Sequence, residues 1–257
     1  MLEGSAILRN TQVRRKVQPG SGIMVQDLSL TIGPRLVLDR ISLHLTAPRL
    51  GIIGRNGSGK STLARLLAGL IAPDSGRLRV EGVDVCKDRR AAIRTVGILF
   101  QNPEHQIIFP TVLEEIGFGL RQLGLSKSEA HARVRDTLTR FGKPHWLEAT
   151  TDALSQGQKH LLCMMAVTAM QPRWLILDEP FAGLDIPTRM QLTRHLDRCG
   201  ARLVHVSHDP RDLAGYGRIC WLDRGRIRAE GGPALLAEFE AAMIREGGGD
   251  DLADLAG

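Results

Sequence analysis

Two stretches of this chain carry residue types at spacings that suit phosphate chemistry. Gly54-Arg55-Asn56-Gly57-Ser58-Gly59-Lys60-Ser61 fits the pattern GxxxxGK[ST]. It follows the apolar run Leu50-Gly51-Ile52-Ile53 and precedes a helix-forming stretch that begins Ser61-Thr62. Glycines at Gly54, Gly57 and Gly59 let a backbone turn its N–H groups inward around β- and γ-phosphates without a Cβ clash. The helix that follows adds the positive end of its dipole. Lys60 is expected to reach the β/γ-phosphates and Ser61 to ligate Mg²⁺, with Asn56, Ser58 and Thr62 completing the nucleotide contacts. A plain glycine-rich turn is the competing reading, and the strand–loop–helix setting disfavours it.

The second stretch, Trp174-Leu175-Ile176-Leu177-Asp178-Glu179, is an apolar strand ending in two acids. An aspartate at such an end can hold Mg²⁺ through a water, the task given to Asp178. Glu179 leaves the sheet one residue later, where a carboxylate can orient or deprotonate water attacking the γ-phosphate. Alone, the pair would read as a solvated turn. The phosphate loop reverses that weighting.

These groups need a scaffold, and strands alternate with helices along the chain. Ile23 to Leu30 and Leu36 to Leu45 have strand patterns around Gly33-Pro34. Ser61 to Leu70 is expected to be helical and to stop at Ala72-Pro73-Asp74-Ser75-Gly76. Apolar runs at Val96 to Phe100, Trp174 to Leu177 and Leu203 to Val206 suit interior strands of a parallel sheet. Residues 103–170 lack such strands, are rich in helix formers and read as a helical insert. The expected fold is α/β: a P-loop core with a mainly parallel sheet, N-terminal antiparallel strands and a helical subdomain. One domain is expected over residues 23–240, after a flexible extension (1–22) carrying Arg14, Arg15 and Lys16 and before a flexible tail (241–257).

Composition sets outer bounds. The 257 residues, 43% apolar and 24% charged, allow one large domain with a smaller subdomain. A formal charge of +6 suits anionic partners and selects none. The four cysteines form no CxxC pair, which suits buried thiols in a reducing compartment. His205 and His208 would point to opposite faces of a strand, so no zinc spacing is seen. The longest apolar run, Leu161 to Met170, falls short of the roughly 20 residues that cross a bilayer. Glu3, Arg9 and Arg14 interrupt any early apolar segment, so no signal peptide is expected. A soluble chain that reaches a membrane only by docking is the expectation.

Leu154-Ser155-Gln156-Gly157-Gln158 resembles the LSGGQ signature of the ABC ATPases. Phe181-Ala182-Gly183-Leu184-Asp185 looks like that family's D-loop, Gln101 matches its Q-loop glutamine, and His208 in Val206-Ser207-His208-Asp209 matches its switch histidine. The resemblance, spanning residues 54–208, implies an ATP hydrolase with ATP and Mg²⁺ as cofactors. It implies Glu179, His208 and Gln101 as catalytic residues, and Ser61, Gln101 and Asp178 around the metal. It also implies a homodimer, in which Ser155, Gly157, Gln158 and Asp185 of one copy close on the nucleotide of the other. Gln156 departs from the usual glycine. Ile32 is aligned where the family places an aromatic on adenine, so stacking weaker by about 1–2 kcal/mol and comparable binding of ATP and GTP are expected.

Phe100-Gln101-Asn102-Pro103-Glu104-His105-Gln106-Ile107-Ile108-Phe109-Pro110-Thr111-Val112 further resembles energy-coupling factor transporters. That likeness implies a transmembrane scaffold protein and a substrate-binding membrane protein as partners, no nucleic acid, and a place at the cytoplasmic face of the cell membrane. Ile107, Ile108, Phe109 and Val112 would form the docking patch, with plain core packing as the alternative. Biotin uptake is the nearest likeness, and cobalt or nickel import comes second. A soluble ABC ATPase of DNA repair or translation would need long insertions, heptads or a CxxC hook, and none is seen. No aromatic-basic patch suits nucleic acid, Tyr216 being the only tyrosine. A kinase would leave the signature unexplained.

Overall fold

Alternation in the first strand carries it onto the core and then breaks step. In β1 (Ile23–Ile32), Ile23 and Val25 are buried, but Gln26 and Asp27 are both exposed before Leu28 returns inward. Asp27 adopts φ 45°, the register shifts there, and the Asp27 amide donates to Ser42 Oγ at 2.9 Å. The bulge keeps Leu28 and Leu30 on the core face, which a continuous pleat could not do. β1 pairs antiparallel with β2 (Arg35–Leu45) and β4 (Ser75–Val80) in a three-stranded sheet. These elements belong to a computed structural model that describes residues 21–247. The expected extension, apart from Ser21 and Gly22, lies outside the described residues, as do the last ten residues of the expected tail.

The second sheet runs β5 (Val96–Leu99), β6 (Trp174–Asp178), β7 (Arg202–Ser207), β3 (Arg49–Ile53), β8 (Ile219–Asp223), β9 (Arg226–Gly231). Its first five strands are parallel and β9 closes it antiparallel. β3, β6 and β7 are buried on both faces over nearly their whole length, which is why they appear as unbroken apolar runs. Ile53 pairs with Ser207 and Asp178 with Val206, so the three strands end at one edge. Ligands of open α/β sheets bind at such carboxyl ends.

Helix α1 (Lys60–Leu67) ends short of the expected Leu70. Gly69 takes φ 71° there, and a Cβ on it would sit 2.3 Å from Val85 O. That glycine stop acts before the Pro73 turn does. After α2 (Arg89–Thr95), the helical insert comprises α3 (Val112–Gln122), α4 (Lys127–Arg140) and α5 (Gln156–Ala169). Thr111, Ser126 and Ser155 cap the three starts through their side-chain oxygens. Leu161, Leu162, Cys163, Met164 and Met165 are all buried in the shared core, so this run packs inward as expected of core rather than of a methionine-rich interface. Burial raises the Cys163 and Cys220 thiols to about 12, which leaves them unreactive.

α6 (Ile186–Arg198) follows β6, and α7 (Ala234–Gly247) ends the described chain. α7 corrects the expected boundary at residue 240. Ala242 is buried and Met243 packs on the core, so the helix continues through what was taken for tail.

Glu81 Oε1 accepts from Gly22 N (2.9 Å), Trp174 Nε1 (2.8 Å) and Arg202 Nη1 (3.0 Å), tying the residue that leads into β1 to β6 and β7. Glu81→Leu strands the indole N–H of the fully buried Trp174. A loss of about 2–3 kcal/mol in urea-unfolding free energy is expected.

His205 on β7 is 1% exposed, with Nδ1 3.1 Å from the Tyr216 hydroxyl and Nε2 unpartnered. Burial first, then Arg189, lowers its pKa from 6.5 to about 3. The folded ring stays neutral while the unfolded one protonates below about 6.5. This contribution to stability is therefore complete above that pH and is lost between pH 6.5 and 3, by up to about 1.4 kcal/mol per unit. Unfolding free energy measured against pH is expected to show the slope, and His205→Phe to flatten it.

Candidate functional site

β3 delivers the chain to Gly54, where a Cβ would lie 2.2 Å from Leu222 O and 2.7 Å from Ser58 Oγ. Only glycine lets the loop tuck against β8. Gly59 then turns with φ 99° to open α1. The loop folds back over Lys60, which is 4% exposed and donates from Nζ to Arg55 O at 2.9 Å. Burial lowers the Lys60 pKa, while Glu179 and Asp178 pull it upward. Ser58 Oγ is buried without a partner, leaving a hydroxyl free within the cradle.

The two acids meet this loop from the end of β6. Asp178 Oδ1 accepts from Ser61 Oγ at 2.9 Å. Its pKa is raised chiefly by burial and further by Glu179, with the Ser61 bond acting in the opposite direction. Such a carboxylate would gain from a cation, and Ser61 with Asp178 is the pair that could hold one. Glu179 adopts φ 49°, a left-handed turn that lifts its side chain off the sheet edge. Its N–H still bonds Val206 O at 2.9 Å, which fixes the turn. Glu179 Oε2 lies 2.8 Å from His208 Nδ1, and Oε1 lies 3.7 Å from Lys60 Nζ. A carboxylate held between a lysine and a histidine above a phosphate loop can align water for attack on phosphorus.

A cavity of about 430 Å³ opens over these groups. Asn56, Gly57, Gly59, Lys60, Ser61 and Thr62 line it from the loop, and Gln101, Glu179 and His208 from the sheet edge. Gly54, Ser58 and Asp178 lie beneath that lining, all buried.

The other expected residues gather elsewhere. Ser155, Gly157 and Gln158 open α5, and Asp185 caps α6 by accepting from Thr188 N. A Cβ on Gly157 would meet the Thr188 side chain at 3.1 Å, so the two helix starts abut. None of these four residues lines the cavity over the phosphate loop. Ser155 and Gln158 satisfy each other in a capping box, with Ser155 N donating to Gln158 Oε1 at 2.8 Å. Gln158 thus spends its carboxamide oxygen on the helix start. The expected residues therefore fall into two separate groups in one chain.

The profile of the ABC transporter family matches residues 38–182, more than half of the chain. The chain belongs to that family. The biotin transport ATP-binding protein BioM of Rhodobacter capsulatus is 49% identical over 208 residues, covering 80% of this chain and 89% of the relative. The energy-coupling factor transporter ATP-binding protein EcfA2 of Symbiobacterium thermophilum is 40% identical over 79% of this chain and 75% of its own. Among solved structures, cbiO1 of Clostridium perfringens, part of the ABC transporter complex cbiONQ, superposes with TM-score 0.72 at 28% identity. That match covers 89% of this chain and 94% of the other.

This ABC ATPase binds and hydrolyses ATP, with the fold expected from its strand and helix pattern. Ile32 is 53% exposed and does not line the cavity. Arg35 and Val37 line it instead, and Leu36 joins them in an adjoining cavity against Arg55 and Asn56. The β1–β2 turn carries residues 35–37 toward the loop. Also missed was the ion pair of Arg55 Nη1 with Glu246 Oε2 at 2.8 Å, which ties α7 to the phosphate loop. Among the described residues, no helix is long and apolar enough to cross a membrane.

Proposed function

We propose that two copies of this ABC ATPase sandwich MgATP and power an energy-coupling factor importer whose cargo is biotin. The separation of the two groups of residues supports the dimer: the Ser155–Asp185 cluster lines no part of the cavity over the phosphate loop. Pairing two chains head to tail completes both sites at once. Ser155 and the Gly157 N–H, at a helix start, would meet the partner's γ-phosphate. Gln158 supports that start, and Asp185 holds the neighbouring helix start in place. Lys60 contacts the β- and γ-phosphates. Ser61 and Asp178 hold Mg²⁺ with help from Gln101, and the ion neutralises phosphate charge. Glu179 orients water, and His208, bonded to Glu179, supports the γ-phosphate.

Docking to a transmembrane partner is supported on the helical insert. Ile108 and Phe118 are 73% and 42% exposed. Phe109 and Phe118, with ring centroids 5.0 Å apart, line a largely apolar cavity of about 530 Å³ with Leu113 and Gly117. Arg121 and Lys127 stand at this cavity too. Val112 leaves the expected patch, being fully buried, and Ile107 packs against the core. The arrangement suits a helix from a membrane scaffold laid in a groove at the inner membrane face. The identity to the BioM relative favours biotin over cobalt or nickel. Vesicles holding this chain with its co-purifying membrane proteins are expected to take up labelled biotin only with ATP. Uptake of cobalt or nickel instead would reassign the cargo. Isolation with ribosomes or DNA and no membrane protein would overturn the transport reading.

A further inference from the structure

Between Gln101 at the nucleotide cavity and Ile108 on the exposed face, the chain forms only one short 3-10 turn, Pro103–His105. A loop with so little regular structure is ordinarily a loose connector. Here helices of the insert hold it at both ends. At the nucleotide end, His160 of α5 is fully buried and sets Nε2 2.9 Å from Gln101 O, with Nδ1 3.2 Å from Gln156 O in its own helix. One residue earlier, Lys159 Nζ pairs with Glu104 Oε1 at 2.6 Å.

At the other end, Glu115 of α3 is 8% exposed, and its single oxygen Oε2 accepts from both Ile108 N and Phe109 N at 2.9 Å. Thr151 Oγ1 donates to Phe109 O at 3.0 Å and completes the turn. A buried carboxylate is retained only where donors compensate its lost hydration, and these two amides are such donors. Between the ends, Gln106 closes the loop on its own strand, accepting from Phe100 N at 3.2 Å.

We propose that His160 and Glu115 are positioning residues that make 101–109 a rigid arm carried by the helical insert. The arm converts a shift of Gln101 over the nucleotide into a shift of the Ile108–Phe109 face. Neither side chain lines the nucleotide cavity; each acts through the backbone it holds. The arm's outer half rests on the docking reading given above, and its inner half does not.

The two halves separate experimentally. The detached chain is assayed for ATPase kinetics, and the chain in its membrane complex is assayed for cargo moved per ATP. Glu115→Leu leaves two amides without an acceptor. It is expected to keep detached kcat within about twofold while transport per ATP falls at least about fivefold. Glu115→Gln keeps an oxygen at the same reach and restores most of the coupling. Where Glu115→Leu does not fold, Glu115→Asp, too short to reach both amides, is expected to give the same split. His160→Leu is expected to lower detached kcat at least about fivefold with little change in KM, and His160→Gln, which returns an N–H toward Gln101 O, to restore it.

Full coupling in Glu115→Leu and Glu115→Asp, or equal losses of hydrolysis and transport, would overturn the arm's outer half. Unchanged kcat in His160→Leu would overturn its inner half. If the wild-type chain binds no membrane protein at all, the docking reading falls with the outer half, and the His160 kinetics still decide the inner one.

Discussion

Glu179→Gln is expected to lower kcat by about two to four orders of magnitude, the usual contribution of a positioned general base. The amide can keep a hydrogen bond with His208 Nδ1, which lies 2.8 Å from the native carboxylate, so the site's shape is retained while its base is lost. The substitution also removes a negative charge 3.7 Å from Lys60, freeing that cation for phosphate. ATP affinity is therefore expected to be kept or improved, and the ATP-bound dimer to accumulate. Single-turnover hydrolysis and gel filtration with MgATP measure both halves of the expectation. Normal turnover would remove Glu179 from the mechanism.

Lys60→Ala is expected to act on binding first, weakening ATP by about 10- to 100-fold. That range corresponds to hydrogen bonds from a charged group worth about 1.5–3 kcal/mol. Lys60 is buried and its neighbours are Arg55 O, Glu179 and Asp178, so no other cation on the loop can replace it at that depth. Its lowered pKa records that the fold holds this charge in place at a desolvation cost, which a bound triphosphate would offset. Titration calorimetry with ATP reads the change directly. Unchanged affinity would remove the assigned phosphate contact.

Much of the site was legible because its signals are local. The phosphate loop and the acid pair ending β6 each occupy a few consecutive residues whose types dictate their conformation. The parallel sheet was legible from apolar runs that only two-sided burial explains. What was missed depends on partners far along the chain. The bulge at Asp27 relies on Ser42 across the hairpin, and α1 stops early because Gly69 must pass close to Val85. The hairpin's geometry sets Val37 beside the cavity over the phosphate loop. α7 runs past residue 240 because Ala242 finds a core built from distant strands. Glu115 and His160 look like ordinary helix residues until the loop they hold is folded against them.

The central claim is that each nucleotide lies between Lys60 of one copy and Ser155 of another. Two variants, Lys60→Ala and Ser155→Arg, are each expected to be inactive alone. Mixed, they form some dimers in which an intact Lys60 loop faces an intact Ser155 helix start. ATPase activity of the mixture is the most direct measurement. Activity that reappears on mixing is the result expected here; a mixture as inactive as its two components would contradict a shared site.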